Sequence, residues 1–169
     1  MWNAAVLTLA LGSPPSTISA PPPDTFVEQL DHVESSEADE GVEIIAYNDR
    51  NIVIGVVVMT YEPRGVLRLA SDYDDGFSDV TMRGRERESM RSSLPDGVAE
   101  HRANAMFDAI QTPGSGPLEG WGMCAAKTLV AVGACNSATW LITCGPGAFL
   151  AACECIPLVV PEDWPRDEC

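Results

Sequence analysis

Residues 42–47 and 52–60 are dominated by β-branched side chains, and Asn48-Asp49-Arg50-Asn51 separates them. Such side chains fit a pleated surface, while Asn and Asp bend the backbone through their own side-chain hydrogen bonds, so the pattern predicts a β-hairpin. Glu62-Pro63-Arg64-Gly65 predicts the next turn and residues 66–70 a third strand, completing a small antiparallel meander. In the middle strand Val53, Gly55, Val57 and Met59 alternate with Ile52, Ile54, Val56 and Val58, so burial on both faces is expected. A sheet of this kind needs a cover. Val98, Arg102, Met106, Phe107 and Ile110 approximate a helical stripe entered through Asp96-Gly97, which predicts a helix over 98–110. Residues 81–92 are helix-permissive but highly charged.

The flanks differ from this middle. Five prolines between Ser13 and Pro23 predict an extended linker. From Asp24 to Glu43 there are eight acids and no arginine or lysine, a self-repelling run expected to be solvated, although Phe26, Val27 and Leu30 can nucleate a helical turn or two at its start. Residues 111–120 gather Pro113, Pro117, Gly114, Gly116 and Gly120, a boundary by composition. Beyond it, from Cys124 to Val160, only Lys127 and Glu154 are charged. The domain plan expected is a leader and disordered acidic linker over 1–41, a small α+β domain over 42–111, a linker over 112–120 and a cysteine-rich apolar module over 121–169. The fold class is α+β: a small antiparallel β-meander with one or two helices, followed by a disulfide-rich helical hairpin.

The six cysteines, Cys124, Cys135, Cys144, Cys153, Cys155 and Cys169, all fall within the last 46 residues. That density exceeds the roughly 8–10% that marks a disulfide scaffold. Bridges are expected where a unit is too small to be held by burial alone. Cys124 and Cys135 would share a face of one continuous helix. Gly145-Pro146 is expected to break the helix, with residues 149–155 returning antiparallel. Six cysteines allow fifteen pairings, among which spacing does not choose. A zinc site and reduced buried thiols are the rival readings; for zinc, Cys153 and Cys155 are the one close pair and neither histidine is near.

Charge narrows the function classes. A net charge of −15 and pI near 4.2 exclude a polyphosphate binder that works by counterion release, so no nucleic-acid partner is expected. Nine arginines against one lysine, with so many acids, fit a protein kept soluble in concentrated salt by a carboxylate surface; a high-GC bacterium gives a similar balance. The apolar run Ala4 to Leu11 and the small residues up to Ala20 have the layout of the middle and end of a signal peptide, but no basic residue precedes Arg50. Secretion is expected with an incomplete export signal; a flexible tail is the alternative.

Chemistry is sparse. Asp72-Tyr73-Asp74-Asp75-Gly76 invites comparison with a calcium loop, but Arg83 stands where a bidentate glutamate is required, and an acidic surface turn is expected. Arg83, Arg85, Arg87 and Arg91 interleave with Glu86 and Glu88 and are expected to pair with the chain's own acids. His32 and His101 lack a nucleophile motif, so no enzyme activity, no cofactor and no metal site are expected. The run from Ser137 to Val160 is 24 residues, long enough to cross a bilayer, but Gly145-Pro146 favours a hairpin.

An acidic cysteine-free leader domain, a glycine-proline linker and a terminal cysteine-rich peptide together resemble the precursors of haloarchaeal microhalocins, small halocin bacteriocins. The nearest local likeness is Ile142-Thr143-Cys144-Gly145-Pro146-Gly147-Ala148-Phe149-Leu150-Ala151-Ala152-Cys153. The resemblance implies a secreted antimicrobial peptide over 121–169 released by a processing protease, with a cleavage region at Gly114, Gly116 and Gly120. It implies a target-cell membrane or membrane protein as partner and an upstream domain tied to immunity or solubility. Two other classes stand beside it: a non-toxic secreted or membrane-associated interaction protein, and a cytosolic cysteine-based redox or metal module.

Overall fold

The computed structural model describes residues 24–38, 41–62, 64–111 and 120–159. A short helix α1 (Thr25–Gln29) leads into six strands, β1 (Leu30–Ala38), β2 (Gly41–Asn48), β3 (Val53–Glu62), β4 (Val66–Tyr73), β5 (Gly76–Arg83) and β6 (Glu86–Ser92). Three helices follow: α2 (Val98–Ile110), α3 (Trp121–Asn136) and α4 (Trp140–Val159). The strands pair antiparallel in chain order, so the architecture is an α+β meander followed by helices.

Each turn uses a local device. Asn48 Oδ1 accepts from the backbone N–H of Arg50 and of Ile52, and Asn51 takes a positive φ, which closes the β2–β3 turn. Arg64 and Gly65 both have positive φ between β3 and β4, the geometry that matches the twist of adjacent strands. Both turns lie where the sequence places them.

The sheet buries one face. Ile44 pairs with Val57, Met59 with Leu69, and Leu69 with Val80, and all four strands contribute fully or nearly fully buried side chains on that side. On the opposite side Val56 and Val58 are half-exposed, Phe77 is exposed, and a groove of about 480 Å³ runs past Arg68, Ala70 and Asp79. The expected two-sided burial of β3 is therefore corrected: the helical layer covers one side of the sheet.

Two further expectations change. Residues 30–38 of the acidic run form β1, because an edge strand needs just one paired neighbour and can hold Asp31, Glu34 and Glu37 out in water. Residues 81–92 form the end of β5 and β6 instead of a helix, and the Arg83–Glu88 ion pair joins side chains across that hairpin. Helix α2 spans Val98–Ile110, as the stripe predicts.

Within that stripe Arg102 is 3% exposed and holds the N-terminal segment in place. It donates to both carboxylate oxygens of Asp24 and of Asp75, with its guanidinium 4.8 Å from the centre of the Tyr73 ring. Asp24 also caps α1 by accepting from the Phe26 N–H. The Arg102 hydrogen bond holds the Asp75 carboxyl below the usual carboxylate range. Burial pushes the Tyr73 hydroxyl up to about 12.

Candidate functional site

The cysteine module folds as an antiparallel helical hairpin. α3 and α4 bring Cys124 against Cys155 and Cys135 against Cys144, with Cα–Cα distances of 4.9 and 4.1 Å. The antiparallel packing of α3 on α4 sets the pairing, and the equal separation of 11 residues within each helix lets both bridges close on facing stripes about three turns apart. Cys153 is disulfide-bonded as well, and Cys169 lies outside the described residues. There is no free cysteine among the described residues. A bridged sulfur is not a thiolate ligand, and no three His, Cys, Asp or Glu among the described residues converge on a possible metal position.

The hairpin turn falls at 137–139, not at Gly145-Pro146 as expected. Ser137 Oγ and Thr143 Oγ1 both donate to the Ala134 carbonyl, which ties the end of α3 to the start of α4. Pro146 cannot donate to the Ile142 carbonyl four residues back, but both residues are exposed, so water can satisfy that oxygen and the helix continues. Gly145 has a separate role. A Cβ there would run into the Arg85 carbonyl of the β5–β6 turn, so glycine permits the close approach of α4 to the sheet.

Small residues mark the seam of the two helices: Gly147 of α4 faces Ala131 and Ala134 of α3, and Ala148, Ala151 and Ala152 beside it are buried. Toward the sheet, Thr128 Oγ1 rests 3.5 Å from Met59 Sδ, and the Tyr61 hydroxyl donates to the Ala152 carbonyl at 3.3 Å. Cys144 Sγ lies 3.3 Å from Met82 Sδ. At the edge, Ser78 Oγ and Asn136 Oδ1 meet at 2.6 Å, and Arg87 donates to the Cys135 carbonyl at 3.1 Å. Arg87 also covers the Trp140 ring at 3.2 Å, and Arg85 covers Phe149 at 4.4 Å. One hydrophobic cluster runs through sheet and hairpin.

The outer side of the hairpin is different. Leu141 and Ile142 are each 78% exposed, and Leu150 is 56% exposed. No helix among the described residues is long and apolar enough to cross a membrane. Of the expected cleavage region, Gly114 and Gly116 lie outside the described residues, whereas Gly120 is exposed at φ 54° immediately before α3.

The remaining candidates are on the surface. Asp74-Asp75 is the β4–β5 turn, with Asp75 bound to Arg102. His32 sits on Asp31 and stacks on Tyr47, and His101 is exposed on α2. Of the four arginines near β6, Arg83 pairs with Glu88, while Arg85 and Arg87 take aromatic rings of the hairpin. Sequence reasoning missed the Asp24–Arg102–Asp75 cluster; its one local signal is an arginine inside an apolar helical stripe. Compared with family models, with curated proteins and with solved structures, the chain matches none, so its function must be read from its own geometry.

Proposed function

We propose that the chain is the precursor of a secreted, cysteine-rich antimicrobial peptide, residues 121–169, carried on an acidic α+β domain and freed by a processing protease. The observation that carries this reading is the closure of the bridges upon the hairpin: Cys124–Cys155 and Cys135–Cys144 both join α3 to α4, and the chain before Cys124 has no cysteine. Cutting the connector over 112–120 therefore leaves the bridges of the liberated unit intact. The acidic domain meanwhile covers the inner apolar face of the hairpin, which favours a solubilising role, or an immunity role as in the microhalocin precursors that this layout resembles. The freed peptide would act at a target-cell membrane or on a membrane protein, a role in keeping with its apolar composition.

A second reading is favoured by the exposed Leu141, Ile142 and Leu150: a non-toxic secreted or membrane-associated interaction protein that uses this outer face while the chain stays whole. Mass spectrometry of culture medium without reductant separates the two. The precursor reading expects a bridged fragment starting near residue 120 that, once purified, clears lawns of related strains. Recovery of the intact chain alone, or a fragment that leaves such lawns untouched, overturns it.

A further inference from the structure

A cleft of about 450 Å³ opens between β6, the entry to α2 and the turn of the hairpin. Arg87 and Met90 of β6 form one wall, Asp96 and Glu100 at the entry to α2 form another, and Ala138 and Trp140 of the hairpin close the third side. Arg87 is half-buried, held by the Trp140 ring, the Cys135 carbonyl and the Met90 sulfur, yet it makes no ion pair among the described residues of a chain with 25 acids. Burial without a neighbouring carboxylate pulls its pKa down. Across the cleft the carboxylates of Asp96 and Glu100 likewise have no ion-pair or hydrogen-bond partner among the described residues, and neither reaches Arg87. Charges of both signs thus face one opening without meeting.

We propose that this cleft binds a small zwitterion, an α-amino acid with an apolar side chain, whose carboxylate lies on Arg87 and whose ammonium lies between Asp96 and Glu100. A guanidinium presents paired N–H donors that match a carboxylate, and partial burial strengthens the contact relative to one in open water. The two acids accept the ammonium, while Met90 and Ala138 receive the aliphatic side chain. A simple anion is repelled by the two acids, and a simple cation leaves Arg87 unpaired. The volume lies within the range of small-molecule sites. Because the walls come from β6, α2 and the hairpin together, the site exists only with the hairpin seated on the sheet.

The test is a titration of the ¹⁵N-labelled full chain with L-leucine, followed at the Trp140 indole and the Gly97 amide. Saturable shifts with a Kd of ~1 mM are expected, with binding at least ~10-fold weaker for 3-methylbutylamine and for 4-methylpentanoate, which each keep one charge. Arg87→Gln should weaken leucine by a similar factor. Since Arg87 also supports the hairpin turn, Asp96→Asn with Glu100→Gln serves as the second variant, expected to keep the native spectrum and to lose ~10-fold in affinity. No saturable shift up to ~50 mM leucine, equal binding of either single-charge analogue, or unchanged affinity in the acid double variant overturns the proposal.

Discussion

In the sheet, inward positions carry large side chains: Ile44, Met59, Tyr61, Leu69 and Met82 are all 2% exposed or less. Where α4 meets α3, Gly147 lies against Ala131 and Ala134, and Ala148, Ala151 and Ala152 are the buried residues of that stretch of α4, so the helices approach closely but such small contacts remove little apolar area from water. The sheet is thus held by burial and ladder pairing, with one buried arginine cluster fixing its N-terminal end. The hairpin relies on covalent closure. Crosslinks substitute for side-chain volume where the residues that allow close helix packing are too small to hold it.

The largest expected effect lies on the sheet side. Arg102→Ala leaves Asp24, whose side chain is 9% exposed, buried without its partner, and should cost about 3–5 kcal/mol in urea unfolding. An intact midpoint would mean that the cluster is not what fixes α1 and β1. Next comes the long bridge. Replacing Cys124 and Cys155 by Ser opens a loop of sequence separation 31 and should cost about 3.7 kcal/mol by chain entropy. The shorter pair, Cys135 and Cys144 at separation 9, should cost about 2.6 kcal/mol by the same rule. Hydrogen exchange of either variant sharpens the comparison: α3 and α4 amides should lose protection before those of β2 to β5, and simultaneous loss would erase the distinction between the regions.

A smaller change is expected at the seam. Trp140→Leu removes the ring under Arg87 and should cost about 1 kcal/mol while leaving the bridges formed, as thiol counting would verify. The last effect, absent at neutral pH, is a pH dependence of the sheet side. The Tyr73 hydroxyl is raised in the fold to about 12, so its stabilising contribution is complete below the unfolded value near 10 and fades as pH rises from there through about 12. Tyr73→Phe should flatten stability over that alkaline window, and an unchanged slope would remove Tyr73 from the account.

Legibility in the sequence followed local completeness. The β2–β3 and β3–β4 turns, the helix over 98–110 and the bridged helical hairpin are each specified by residues close together in the chain. The strands β1 and β6 were illegible because charged edge strands have neither an apolar alternation nor a helical stripe, and their conformation comes from the ladder of a neighbour. The turn of the hairpin was misplaced because Gly145-Pro146 carries the strongest breaker signal, whereas the glycine answers to the distant Arg85 carbonyl and the exposed proline costs the helix little. Arg102 was visible as an oddity, but its two acids lie 78 and 27 residues away.

By itself the sequence determined the α+β class, the acidic surface and the confinement of every cysteine to the last 46 residues, since composition and short-range periodicity are properties of the chain alone. Tertiary structure decided which sulfurs meet, which face of the sheet is covered and where Arg87, Asp96 and Glu100 share a cleft. Those outcomes depend on distances between residues far apart in sequence, and such distances are set when one core excludes water from both layers together.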